Sequence, residues 1–333
     1  RPNRQLVLRQ RPVGEVADAC VELVEHEVPP ITDGEALVRV DYLSIDPTIR
    51  GWMSHDSYLP AIAIGEPVRS AGAGVVVESR NADYPVGATV MALTGWQDYV
   101  VLGGDSFGNV IPDGIEVTDA MSLYGSTGTT AYFGLTDVGR PVEGDVLLVS
   151  GAAGATGSIV GQVGKILGCR VIGIAGTDDK CRWIVDDLGF DAAINYRTED
   201  VSARIGELAP DGIDVFFDNV GGEILQAALY HLAMRARIVL CGAISTYNDI
   251  EPTPGPNNLV NLISQRGRME GFIMLDYIDR IADAAMQLAV WGAEGLIQHK
   301  VHIVDGLEQA PAALRLLFSG GNDGKVIVKL EDR

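Results

Sequence analysis

A chain of 333 residues is too long for one ordinary hydrophobic core, so two domains are expected. With 47% hydrophobic and 21% charged residues, the composition is that of a globular protein. A formal net charge of -20 sets aside nucleic acid as a partner, because most of the surface would repel its phosphates.

The N-terminal stretch RPNRQLVLRQRP carries four arginines but no apolar run of signal-peptide length, and it reads as the ordinary start of a cytoplasmic protein. Residues 1 to about 120 hold short β-like runs, such as EALVRVDYLSID and AGAGVVVES, broken by Pro and Gly clusters. That pattern predicts a twisted, barrel-like β domain with few helices. From about residue 143 the texture changes. The runs DVLLVSG, RVIGIAG, AAIN, IDVFFDNVG and ARIVLCG alternate with helix-like segments at 155–168, 179–188 and 222–234, which predicts βαβ units and a doubly wound parallel sheet. The Pro-rich IEPTPGPNN reads as a loop. Near residue 300 the pattern shifts again, to KVHIVDG, a helix around 307–319 and a last strand, DGKVIVKL, that could return to the N-terminal domain.

The stretch 146–164, VLLVSGAAGATGSIVGQVG, has no charged residue and is long enough to span a bilayer as a helix. Its recurring glycines argue against that, and its large apolar residues gather at the start. Strand, tight turn and amphipathic helix is the better reading, so no membrane contact is expected. The turn reads Ala152-x-Gly154-x-x-Gly157, with Ala155 and Thr156 between the glycines. Following a strand and opening a helix, it is a dinucleotide site: Gly154 lets backbone approach a pyrophosphate, Gly157 permits close helix packing, and the helix N-terminus supplies N–H groups.

An NAD site usually places an acidic residue at the end of the second strand to hold the ribose 2′-OH. Here that place reads IAGTDDK, with Gly176 and Thr177 at the strand end and Lys180 within reach. A lysine at a 2′-phosphate contributes roughly 1.5–3 kcal/mol, which favours NADPH. Asp178 or Asp179, if turned inward, would instead suit a bare ribose. The four cysteines, Cys20, Cys169, Cys181 and Cys241, form no C-x-x-C pair, and no His-Glu-x-x-His, nucleophile elbow or P-loop lysine occurs. No metal is expected, and the chemistry is assigned to a nicotinamide cofactor.

The order of a β-rich first domain, AAGATG, INYRTED, FFDNVGGE, LCGAISTYN and RMEGFIM resembles the medium-chain dehydrogenase/reductase superfamily along essentially the whole chain. Within it, the chain is similar to the zinc-free, NADPH-dependent prostaglandin reductases (leukotriene B4 dehydrogenases) and the alkenal or curcumin double-bond reductases. The resemblance implies an α/β architecture in which a GroES-like β-rich catalytic domain (1–122 and 300–333) joins a Rossmann NADP-binding domain (123–299), with the site in the cleft between them. It further implies Lys180 at the 2′-phosphate, Tyr196 beside that ribose, Asn219 near the nicotinamide ribose, backbone of Cys241 and Gly242 beside the cofactor, Phe272 and Ile273 flanking the nicotinamide, and Asn322 reaching it from the returning segment. Tyr247 would meet the substrate carbonyl, with its hydroxyl or the cofactor's ribose hydroxyl as the donor, and it fits equally as a loop tyrosine without a catalytic part. Tyr196 and Phe272 fit equally as packing aromatics, and Asn219 as a turn residue.

Two departures bear on the substrate. The family's VDPYMR is IDPTIR here, so Thr48 replaces a cleft-wall aromatic while Asp46 and Arg50 remain; GMPGLTAYFGL becomes GSTGTTAYFGL, with Ser126 and Thr127 replacing Met-Pro. The expected activity is reduction of the C=C bond of an α,β-unsaturated ketone or aldehyde. A quinone reductase and a non-catalytic NADPH-binding protein stand as alternatives, and a homodimer paired through edge strands near MEGFIM is expected.

Overall fold

A computed structural model describes residues 1–104 and 106–331. The chain forms two compact units, Arg1–Met121 with the segment from Val301 on, and Ser122–Lys300.

The first unit opens with an antiparallel pair, β1 (Pro2–Leu8) and β2 (Val21–Glu27). It continues through β3 (Ala36–Ile45), the short helix α1 (Thr48–Trp52), β4 (Ala71–Ser79), β5 (Thr89–Leu93), β6 (Tyr99–Leu102), β7 (Gly108–Val110) and α2 (Val117–Met121). β3 and β4 pair antiparallel with two register shifts, and such bulges bend a sheet toward closure. Trp96, Met53 and Ile49 are fully buried in the core beneath.

The second unit starts with α3 (Ser126–Phe133), which runs on into wider turns over Gly134–Gly139. Strands and helices then alternate as β8 (Val146–Val149), α4 (Ala155–Ile166), β9 (Arg170–Ala175), α5 (Asp178–Arg182), β10 (Ala192–Asn195), α6 (Val201–Leu208), β11 (Ile213–Asp218), α7 (Gly222–Leu229), β12 (Leu232–Leu240), α8 (Val260–Gln265), β13 (Arg268–Gly271) and α9 (Ile281–Ala293). The sheet is parallel throughout, in the order β10-β9-β8-β11-β12-β13. Its strands are apolar on both sides. Leu147, Val149, Val171 and Phe217 pack into one core, and Leu148, Ile172, Ile174 and Phe216 into the other. Burial on both faces explains why these strands read as continuous apolar runs rather than alternating ones.

The chain closes with β14 (Val301–Asp305), α10 (Ala310–Ser319) and β15 (Lys325–Lys329). β15 pairs antiparallel with β3 and parallel with β14, so the last strand belongs to the first unit's sheet. Lys325, 2% exposed, donates to the Ile45 carbonyl at 3.0 Å and pairs with Asp46.

One helix differs from its expected span. The segment 222–234 is helical only to Leu229, and residues 232–234 belong to β12. Helix propensity in QAALYHLAM gives way to pairing of Leu232 with Ile213, and a register shift follows, with Arg235 at φ 61°. No helix among the described residues is long and apolar enough to cross a membrane; 146–164 is β8, a turn and most of α4.

Candidate active site

β8 delivers the chain to Gly151 at φ 58°, and the turn ends at Gly154, the N-cap of α4, whose backbone is extended and whose helix no side chain caps. The orphan N–H groups of the first turn, from Ala155, Thr156 and Gly157, are the donors such a terminus offers an anion. A Cβ at Gly157 would lie 2.3 Å from the Gly151 carbonyl oxygen, so only glycine lets the helix start this close to the turn. Ala152 plays a different part. Its N–H is bonded to Ile174 O at 2.9 Å, which ties the turn to β9.

A second construction holds the ends of β8, β11 and β12 together. Ser150 Oγ donates to Asp218 Oδ1 at 2.7 Å and accepts the Asn219 N–H at 2.8 Å; Asp218 also accepts the N–H groups of Val220 and Gly221, each at 3.0 Å. The Asn219 side chain donates to Ser150 O at 2.8 Å. The Asp218 carbonyl takes the N–H groups of Cys241 at 2.9 Å and Gly242 at 3.1 Å. Those two amides therefore bind loop to loop, and neither is a donor toward a ligand. Burial raises the pKa of the fully enclosed Asp218 carboxyl, while the Ser150, Gly221 and Val220 donors oppose the rise. The only signals of Ser150 and Asp218 in the sequence are a polar residue closing an apolar strand and an acid directly before Asn219.

Beside this hub lies a cavity of about 340 Å³ whose lining includes Asp218, Gly242, Tyr247, Thr253 and Pro254. The Tyr247 hydroxyl oxygen accepts the Ala243 N–H at 3.1 Å, which fixes the ring over its own loop. Cys241 also lines the cavity, but burial pushes its thiol up to about 12, so it is no thiolate nucleophile.

At the end of β9, Thr177 caps α5 by accepting the Lys180 N–H at 3.2 Å. Tyr196 stands 43% exposed against Gly176, where an added Cβ would come within 2.9 Å of the ring, and the Arg197 guanidinium lies 5.7 Å from its centroid. A side chain at 176 would have to displace the exposed Tyr196 ring, and the strand end itself carries no acid. Asp178 accepts from Asn195, and the exposed Asp179 pairs with Arg182.

Of the remaining expected residues, Phe272, Ile273, Ser126 and Thr127 belong to the second unit, and Thr48 and Asn322 to the first. The Phe272 ring meets Phe217 and Tyr277 edge-on, with centroids 6.4 and 6.3 Å away, and is half-buried, as is Ile273 at the next position. In α3, Thr127 is buried and Ser126 exposed. In the first unit, Thr48 Oγ1 hydrogen-bonds the Tyr58 hydroxyl at 2.9 Å, and Tyr58 meets Trp52 edge-on. Nothing in local spacing links Tyr58 to Thr48. Arg50 is 5% exposed and donates to the Gly14 carbonyl at 2.8 Å, while Asn322 Nδ2 donates to Gly324 O at 2.8 Å. Both hold local backbone. Among the described residues no group of three or more His, Cys, Asp or Glu is arranged to hold a metal ion.

Comparison with known proteins matches residues 4–110 to the family model for the N-terminal domain of oxidoreductase and residues 155–291 to that for zinc-binding dehydrogenase. NADPH-dependent curcumin reductase of Escherichia coli is 38% identical over 98% of this chain and 97% of its own length. The chain belongs to the medium-chain dehydrogenase/reductase superfamily. Among other members, prostaglandin reductase 1 of Bos taurus is 39% identical, with 97% of each chain covered. The crystal structure of CurA from Vibrio vulnificus in complex with NADPH is 40% identical, covers 99% of this chain and 100% of that one, and superposes with a TM-score of 0.94. The parallel sheet of the second unit, with the glycine turn at β8 and α4, is the dinucleotide-binding half of a superfamily member.

Proposed function

We propose that this chain reduces the carbon–carbon double bond of α,β-unsaturated ketones and aldehydes with NADPH. The observation that carries this reading is the full-length likeness to curcumin reductase and prostaglandin reductase 1. The cradle fits the cofactor: an uncapped helix N-terminus for the pyrophosphate, a strand end without an acid, and Lys180 on the following helix for a 2′-phosphate. Bound NADPH supplies the hydride.

The chain's own residues then act on what develops in the substrate. As the β-carbon gains hydride, negative charge gathers on the carbonyl oxygen. The Tyr247 hydroxyl is assigned as the donor to that oxygen. Because its oxygen already accepts the Ala243 N–H, its own proton is the better donor. One well-placed donor of this kind lowers a barrier by roughly 2.7–4 kcal/mol. The enolate is protonated at the α-carbon by water, and no tuned protein acid is needed. The Ser150–Asp218 hub holds Asn219 and the β12 loop carrying Tyr247 in a fixed relation.

A homodimer is part of the proposal. β13 is an edge strand of the second unit's sheet, and an edge presents unpaired N–H and C=O groups to a second copy. Light scattering on a sizing column checks it, with a monomer as the contrary result. A cytoplasmic location is proposed with it and is checked by cell fractionation. The activity is tested by following NADPH loss with enones and alkenals and identifying the product; a saturated carbonyl compound is expected, and an allylic alcohol would place the hydride on the wrong carbon.

A further inference from the structure

The nucleotide end of the site contains a contact that the reduction itself does not use. Asn195 ends β10 in register with Ala175 at the end of β9, and its side chain is buried. Both ends of its amide are engaged. Oδ1 accepts the Arg197 N–H at 3.1 Å, and Nδ2 donates to Asp178 Oδ1 at 2.7 Å. Asp178 is the first residue of α5, directly after the strand end where an acidic side chain would select a bare ribose 2′-OH and repel a 2′-phosphate. The neighbouring positions offer no comparable carboxylate: residue 176 is a glycine beside the Tyr196 ring, and Asp179 is exposed and pairs with Arg182 on its own helix. Asp178 is thus the one acid of GTDDK that a residue on a neighbouring strand restrains.

We infer that Asn195 is a specificity-determining residue for the cofactor: by binding Asp178 to the end of β10, it withdraws a carboxylate from the ribose and leaves the loop to a 2′-phosphate. The inference rests on the NADPH reading above. The amide itself matters. An aspartate at 195 would keep the Arg197 bond but set two carboxylates against each other at hydrogen-bond distance.

The test is calorimetric titration of the purified protein with adenosine 2′,5′-bisphosphate and with 5′-AMP, which reads the nucleotide end without turnover. The unmodified protein should prefer the bisphosphate; equal binding or a preference for AMP would defeat the NADPH reading, whatever Asn195 does. Given that preference, Asn195→Ala should cut it roughly tenfold, the scale of one charged hydrogen bond. Asp178→Ala added to Asn195→Ala should restore it. An unchanged preference in Asn195→Ala, or a loss that persists in the double variant, overturns the inference. Asp178→Ala alone removes an exposed side chain and leaves Asn195 its bond to the Arg197 N–H. With its carboxylate already withdrawn, the preference should stay at the unmodified level, and a roughly tenfold rise would show Asp178 acting on the 2′ group despite Asn195.

Discussion

Single side chains divide the candidate site into groups that act on a ligand and groups that hold those groups in place. Tyr247 is assigned to the first class: Tyr247→Phe should lower kcat about 100- to 1,000-fold with little change in NADPH affinity, as loss of one transition-state donor does. Steady-state kinetics with fluorescence titration of NADPH checks this, and unchanged turnover removes Tyr247 from the chemistry. Lys180 is assigned to the 2′-phosphate, so Lys180→Ala should weaken NADPH about ten- to a hundredfold and spare NADH; equal losses for both would refute the assignment. Asp218 belongs to the second class. Burial raises its folded-state pKa above the ordinary 3.8, so the folded protein binds that proton more tightly than the unfolded chain. The contribution to stability is therefore fully present below the ordinary value and is lost as pH rises through the folded value. Asp218→Asn should flatten the stability profile over that acidic window, which melting curves at stepped pH would read; an unaltered profile would show that the carboxyl titrates as it does in the unfolded chain.

Elements explain which parts of this were legible in the sequence. The turn into α4 could be read because its demand is local: a Cβ at 157 would fall 2.3 Å from the Gly151 carbonyl oxygen, so the position tolerates one residue type, and the requirement appears as a letter in the chain. Gly157→Ala should accordingly destabilise the protein by about 1–3 kcal/mol through overpacking and weaken NADPH binding with it; chemical denaturation with cofactor titration measures both, and a stable variant of normal affinity would show that the turn can shift. The hub was illegible for the converse reason. Ser150 and Asp218 meet only because β8 and β11 are neighbours in the sheet, and no spacing along the chain encodes that. The same holds for Asn195 and Asp178, and for Thr48 and Tyr58. The overlong α7 fails in another way, because residues with good helix propensity are claimed by the strand beside them. Phe272 is placed beside the cofactor by likeness alone, and its half-buried ring also meets Phe217 edge-on.

At the scale of the whole chain, 38–40% identity along nearly its full length to curcumin reductase, prostaglandin reductase 1 and CurA carries the functional reading further than any one residue does. The departures at Thr48, Ser126 and Thr127 are polar changes, with a hydroxyl pair to Tyr58 in one case; under the proposed reading they bear on which enone is accepted rather than on the reaction. The most direct measurement is the loss of NADPH absorbance with purified protein and a panel of enones, alkenals and quinones, repeated with NADH, with each product identified. Saturated ketones or aldehydes from the enones and alkenals, with NADPH strongly preferred, are expected. Turnover of quinones alone, or NADPH that binds and is oxidised by none of the three classes, would contradict the assignment.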